Sequence, residues 1–160
     1  MTDEAISSGP PRLQISATTV ADLRDDPDMA ALAAEYEAEG RSAEMPDVQL
    51  QWEQYAALEQ GGLLEVITAR EDGRLIGLVS VLRANLPRYG GPVSVAESLF
   101  VTAARRRTGA GRALIRAAER VAARRSTALL ITAPAGGALE AVLPHLGYRH
   151  SNTVFIKGLA

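Results

Sequence analysis

The chain has 160 residues, 47% of them hydrophobic and 22% charged, which is the composition of one soluble globular domain. Its formal net charge of −2 argues against a protein built mainly to hold nucleic acid, and the absence of cysteine excludes disulfide frameworks and thiolate metal sites. Two histidines without a third ligand residue predict no metal site, and no apolar run approaches the ~20 residues of a membrane span. With a polar, acidic start in place of a signal peptide, we expect a cytoplasmic protein that binds no membrane.

The first part of the chain predicts one strand followed by two helical regions. Residues 1–11, rich in Ser, Gly and Pro, are expected to be a disordered leader, and residues 12–160 a single domain. After a first strand, apolar residues at helical spacing predict a helix that breaks near Pro27 and ends at Gly40. A second helix is predicted over residues 47–62.

The second part of the chain predicts three strands, a long helix and a short closing unit. The Asp72-Gly73 step joins the first two strands as a hairpin, so these strands form an antiparallel meander. A clear amphipathic helix follows over residues 108–126, then the apolar strand TALLITA and a short helix interrupted at Pro144. Residues 148–159 are predicted to form a terminal strand. The expected order is β-α-α-β-β-β-α-β-α-β.

The segment RRRTGAGRAL has the features of an anion-binding loop. A strand that leads through glycines into a helix leaves backbone N–H groups free at the positive end of the helix dipole. Gly109 and Gly111 let an anion approach the backbone, Arg106 and Arg107 add charge at the rim, and Thr108 is a candidate N-cap. A surface turn with solvated arginines is the alternative that these residues leave open.

Two nucleotide-binding motifs fail on this segment. The phosphate-binding P-loop requires Lys and then Ser or Thr after its last glycine, whereas Gly111 is followed by Arg112-Ala113. The dinucleotide fingerprint requires a third glycine where Leu114 stands, together with a parallel βαβ unit.

The stretch FVTAARRRTGAGRAL resembles the central motif of the GNAT superfamily of N-acetyltransferases. In that family Gln or Arg is followed by two residues, Gly, one residue, and Gly or Ala, which here corresponds to Arg106 through Gly111. The predicted element order matches the family's order from about residue 12 to 158. The resemblance implies an α/β (α+β) fold with a mixed, mostly antiparallel sheet, a splay between strands four and five, and acetyl-CoA as co-substrate.

The resemblance also implies the residues that hold acetyl-CoA. Backbone amides of the loop would bind its pyrophosphate, and strand four would pair with its pantetheine arm. The loop residues are Arg106, Arg107, Thr108, Gly109, Ala110 and Gly111, with Arg112 nearby, and the strand residues are Leu99, Phe100 and Val101.

The catalytic groups are less well marked. The family's usual Asn after strand five is missing, and Leu143 or Pro144 stands where many members carry a tyrosine acid. Tyr148 falls at the family's Gly-aromatic position, where a structural role is the alternative to that of an acid. Glu97 is the candidate general base, on a face shared with Leu99 and Val101, and a half-exposed strand glutamate is the alternative.

The resemblance implies transfer of an acetyl group to a primary amine of a small molecule or protein by direct attack on the thioester. An inactive acyl-CoA sensor is one alternative, and an enzyme that holds nucleic acid on the arginines from Arg112 to Arg124 is another. A homodimer remains open. Glu37, Glu39 and Glu44 would attract a cationic amine or form a solvated helix end, and Tyr55 would line an acceptor pocket or pack in the core.

Overall fold

A computed structural model of the chain describes residues 12–159, and the leader predicted for residues 1–11 lies outside this range. The strands are β1 Leu13–Thr18, β2 Leu64–Glu71, β3 Arg74–Ala84, β4 Val93–Val101 and β5 Leu129–Ile131. The helices are α1 Val20–Arg24, α2 Met29–Gly40, α3 Trp52–Gln60, α4 Ala110–Ala123 and α5 Ala138–Val142.

The five strands form one sheet in the order β1-β2-β3-β4-β5. Pairing is antiparallel from β1 to β4 and parallel between β4 and β5, which confirms the mixed sheet. The β2–β3 hairpin closes at Asp72 and Gly73, whose φ angles of 49° and 83° lie in the left-handed region that such two-residue turns require. The hairpin predicted from this dipeptide is therefore confirmed.

Two apolar layers cover the two faces of the sheet. One face packs against α4, whose fully buried Leu114 belongs to the same core cluster as the buried strand residues Val79 and Ala96. The other face packs against α1, α2 and α3, with Phe100 among its buried residues. The long amphipathic helix predicted over residues 108–126 is confirmed with shorter bounds, and the first predicted helix is divided at Pro27 into α1 and α2.

The predicted terminal strand does not form within the described residues. Residues 149–159 contain no regular element, and Phe155 and Leu159 are 89% and 93% exposed. The apolar residues around Phe155 favour extended structure, but a strand is stable only when a neighbour pairs with it. The edge strand β5 has only three residues and offers a short pairing edge.

Gly77 allows β3 to approach the end of β4, so we expect Gly77→Ala to destabilise the protein. A Cβ atom at this position would lie 2.6 Å from the carbonyl oxygen of Phe100 and 2.9 Å from Cγ2 of Val101. Because a paired strand cannot easily move away, we expect a loss of about 1–3 kcal/mol in urea unfolding. Gly40→Ala, where a Cβ would meet nothing within 4 Å, is the control and should change stability little. Equal stability of the two variants would contradict the prediction.

Candidate active site

Strands β4 and β5 separate halfway along β4. Their parallel pairing runs from Ser94 opposite Leu129 to Ala96 opposite Ile131, where β5 ends. Beyond that point, residues 98–101 pair with β3 on one side, and within the described residues no strand covers their other side. Alternate backbone N–H and C=O groups of this segment therefore face an opening. This opening is the splay expected between strands four and five, and it contains the predicted pantetheine-binding residues from Leu99 to Val101.

A β-bulge places Glu97 on the face of the sheet that carries α3. Ser98 is opposite Ser80 and Ala96 is opposite Val81, so β4 has one extra residue at Glu97. Ala96 and Leu99 pack towards α4, whereas the carboxylate of Glu97 contacts Tyr55 of α3. The expectation that Glu97 shares a face with Leu99 and Val101 is therefore wrong. The bulge breaks the alternation of side chains on which that expectation depended.

Three hydroxyl groups orient the carboxylate of Glu97. Tyr55 donates a hydrogen bond to Oε1 over 3.0 Å, and Ser80 and Ser98 donate to Oε2 over 2.7 and 2.8 Å. The pKa of Tyr55 is raised to about 12, mainly because the phenol is partly buried and next because the carboxylate of Glu97 is nearby. Tyr55 therefore keeps its proton and remains a donor at neutral pH. Sequence reasoning had considered Tyr55 only as a pocket wall or a core residue.

A cleft of about 210 Å³ lies against this carboxylate. It is bounded by α3, by the segment before α3, and by β2, β3 and β4. The lining residues are Gln49, Gln51, Gln54, Tyr55, Leu58, Leu64, Leu82 and Glu97. The arrangement leaves a carboxylate at the edge of an open, partly apolar cleft beside the splay, which suits proton transfer from a small bound molecule.

The loop from β4 to α4 presents free backbone N–H groups. After a short 3-10 turn, Arg107 has a φ of 74° and Gly109, the N-cap of α4, has a φ of 92°. In the described part of the chain no side chain caps this helix. The N–H groups of residues 110–112, in its first turn, therefore have no partner within the helix. Thr108, the predicted N-cap, donates its hydroxyl to the carbonyl of Arg105 instead. A Cβ at Gly109 would meet nothing within 4 Å, so the space above the loop is open.

Arg106 is held against the body of the protein. One nitrogen of its guanidinium donates to both carboxylate oxygens of Glu39 at 2.7 and 2.6 Å, and its Nε donates to the carbonyl of Val101. The guanidinium also lies 5.3 Å from the ring centre of Phe100. Its charge is thus partly balanced by Glu39, in contrast to the free rim charge expected from the sequence. Arg107 and Arg112 are exposed.

A second glutamate of α2 holds the start of the same loop. The carboxylate of Glu35 accepts a hydrogen bond from the backbone N–H of Ala103 at 2.7 Å and another from the hydroxyl of Thr102 at 2.6 Å. These two bonds, the backbone one first, lower the pKa of Glu35. We call Glu35 and Glu39 the α2 clamp. Sequence reasoning missed its role, because a four-residue spacing on one helix does not reveal which loop the helix will meet.

The other predicted site residues lie apart from this cluster. Tyr148 is placed beside Glu119 of α4, on the face of the sheet opposite to the cleft of Glu97. The pKa of its phenol is raised, mainly by burial and next by the negative charge of Glu119. Glu37 is paired with Arg41. The structure therefore does not bring Tyr148 and Glu97 together.

Comparison with known proteins identifies the family. The family model described as the acetyltransferase (GNAT) family matches residues 27–148. No curated protein sequence matches the chain significantly. Within residues 12–159, no helix is long and apolar enough to cross a membrane.

Solved structures share the fold at low sequence identity. A ribosomal-protein-alanine N-acetyltransferase from Brucella melitensis biovar Abortus 2308 is 20% identical with a TM-score of 0.68, covering 93% of this chain and 100% of its own. An aminoglycoside acetyltransferase from an uncultured soil metagenomic sample, in complex with sisomicin, is 18% identical with a TM-score of 0.68, covering 92% and 97%. An aminoglycoside N-acetyltransferase in complex with CoA is 18% identical with a TM-score of 0.66, covering 94% and 96%. Since the family model spans most of the chain, the protein belongs to the acetyltransferase (GNAT) family.

Proposed function

We propose that the protein transfers an acetyl group from acetyl-CoA to a primary amine. The observation that carries the proposal is the position of Glu97, which the β-bulge directs into a cleft at the point where β4 and β5 separate. On the same strand, four residues later, the chain enters a loop with free N–H groups at the start of α4. In chain order, an oriented carboxylate and an open strand edge on β4 are thus followed by a candidate anion site at the start of α4.

The loop and the open edge are suited to acetyl-CoA. The N–H groups at the start of α4 would hold the pyrophosphate, and Arg107 and Arg112 are exposed beside them. The free edge of residues 99–101 would pair with the amide groups of the pantetheine arm. A structure with the same fold was solved in complex with CoA, which supports this assignment.

Glu97 would act as the general base. A primary amine is protonated near neutral pH, and its nitrogen can attack only after losing that proton. The carboxylate of Glu97 would accept the proton directly or through one water. The nitrogen then bonds to the acetyl carbon, the carbon–sulfur bond breaks and CoA leaves as a thiolate. The second proton lost by the nitrogen passes through water to that thiolate, which completes the amide and the thiol. With a pKa near 8.5, a thiolate leaves without an acid, so the reaction does not depend on Tyr148.

The alternative functions have weaker support. The arginines of α4 that would hold nucleic acid are partly neutralised, since Arg116 pairs with Glu119 and Arg124 pairs with Glu65. An acyl-CoA sensor would have no need for three hydroxyl donors that orient Glu97. We expect the enzyme to act in the cytoplasm, and whether it forms a homodimer stays open.

The first test is a thermal melt with acetyl-CoA. At a hundred times its dissociation constant, the ligand should stabilise the protein by about 2.7 kcal/mol, or roughly 5–10 °C for this size. ADP, which has the pyrophosphate without the pantetheine arm, should stabilise less. Gly109→Glu should abolish the shift, because it puts a negative charge into the anion site. Gly62→Glu imposes a similar strain at φ 67° near the other end of the sheet and should keep the shift. No shift with native protein would refute the proposal.

A second test removes the proposed base. Glu97→Gln should lower turnover at least about tenfold, in the range that general-base catalysis contributes, and leave acetyl-CoA affinity unchanged. The deficit should shrink as pH rises, because a growing fraction of the amine is then already deprotonated. Glu53→Gln, at an exposed position of α3 outside the cleft, should keep native turnover. Native turnover in Glu97→Gln would remove Glu97 from the mechanism.

A third test concerns the α2 clamp. Glu35→Gln replaces one of the two acceptors and should weaken acetyl-CoA binding by about two- to tenfold, measured by calorimetry. Since the folded state lowers the pKa of Glu35, its contribution to stability is complete above the ordinary value of 4.5 and is lost as pH falls through the lowered pKa. The stability difference between native protein and Glu35→Gln should therefore vanish in acid. Glu37→Gln, on the same helix but paired with Arg41, should bind acetyl-CoA normally; an equal loss in both variants would contradict the clamp.

A further inference from the structure

The cleft at Glu97 has a distinctive balance of charge. Among the described residues that line it, Glu97 is the only one with a charged side chain, and three others are the glutamines Gln49, Gln51 and Gln54. An ammonium group that leaves water needs a nearby negative charge to offset its desolvation. One carboxylate therefore supports one ammonium group, the one that is acetylated.

The three acidic residues that the sequence suggested as an attractor for cations are already engaged by other groups. Glu37 is paired with Arg41, Glu39 holds Arg106, and Glu44 accepts a hydrogen bond from Ser42. None of the three belongs to the cleft lining. The acidic region that the sequence suggested as an attractor for cations therefore contributes to the structure of α2 and its loops, and provides no second counter-charge in the cleft.

The glutamines suit uncharged polar groups. Each side-chain amide carries one acceptor and two donor hydrogens, which match the hydroxyl or amide groups of a ligand. Gln54 is exposed on α3, and the amide of Gln51 donates to the backbone carbonyl of Gln49 over 3.2 Å, which orients that part of the wall. The wall can therefore exchange hydrogen bonds without adding charge.

The floor and the volume limit the size of the ligand. Leu58, Leu64 and Leu82 provide apolar surface that fits the C–H face of a compact molecule. The volume of about 210 Å³ lies below the ~300 Å³ at which sites for drug-sized ligands begin, so the cleft suits a compact ligand. A body the size of a monosaccharide or an amino acid amide is the natural occupant.

We infer that the acceptor is a small monoamine whose other polar groups are uncharged hydroxyls or amides. This inference rests on the proposed function, and it excludes amines with several positive charges as preferred acceptors. The amine nitrogen contacts Glu97, the hydroxyl or amide groups face the glutamines, and the carbon skeleton lies on the leucines.

The test compares kcat/KM for four amines at saturating acetyl-CoA. Glucosamine and serinamide have one amine and a neutral polar body, spermidine has several charges, and hexylamine has no polar body. The kcat/KM for glucosamine or for serinamide should exceed the kcat/KM for both spermidine and hexylamine by tenfold or more. Faster acetylation of spermidine or hexylamine would overturn the inference and leave the N-acetyltransferase function standing. If acetyl-CoA binds but none of the four amines is acetylated, both the proposed function and the inference fall.

Variants of one glutamine test the wall directly. Gln54→Leu should lower kcat/KM for the preferred polar amine at least threefold and leave that for hexylamine unchanged or higher. Gln54→Glu adds a second carboxylate and should raise kcat/KM for spermidine several-fold. Gln60→Leu, an exposed change on the same helix outside the cleft, is the control and should behave as the native enzyme. Identical profiles for Gln54→Leu and Gln60→Leu would overturn the role of the glutamine wall.

Discussion

Strand β4 has one residue more than its neighbour β3 between Ala96 and Ser98, and the site is organised around that extra residue. The bulge turns the carboxylate of Glu97 to the α3 face, where hydroxyl donors from three different elements orient it. At the same level of the sheet, pairing between β4 and β5 ends. The bulge accounts for the direction of the carboxylate, because it redirects the side chain of Glu97, whereas the opening beside it arises where β5 ends.

Side chains of helix α2 hold the loop that follows this strand. Glu35 holds the first residues after β4, and Glu39 holds Arg106 while the same guanidinium lies near the ring of Phe100. The consequence is that the loop enters α4 in a fixed direction, and in the described part of the chain no side chain caps the first N–H groups of this helix. An anion site made from backbone groups needs such fixation, since its donors must all point to one place before the ligand arrives.

The two faces of the sheet differ in composition. The face under α4 is an apolar core, and Tyr148 is placed beside Glu119 on that side, which fits a structural role for this tyrosine. The face under α3 has a polar cluster around Glu97 next to an apolar floor. The described lining has a single carboxylate among neutral amides, and our inference of an acceptor with one charge rests on this composition. Solved structures of the same fold include aminoglycoside acetyltransferases.

The sequence by itself determined the parts that depend on local chemistry. The Asp72-Gly73 hairpin, the amphipathic helix α4 and the glycine loop before it each follow from residues close together in the chain, and the motif Arg106–Gly111 indicated the family. Only the tertiary structure decided the face of Glu97, because a shift of one residue in register reverses the direction of a side chain. It also decided that Tyr55 and the α2 clamp meet β4 and its loop, and that residues 149–159 form no strand, since these outcomes require partners distant in sequence.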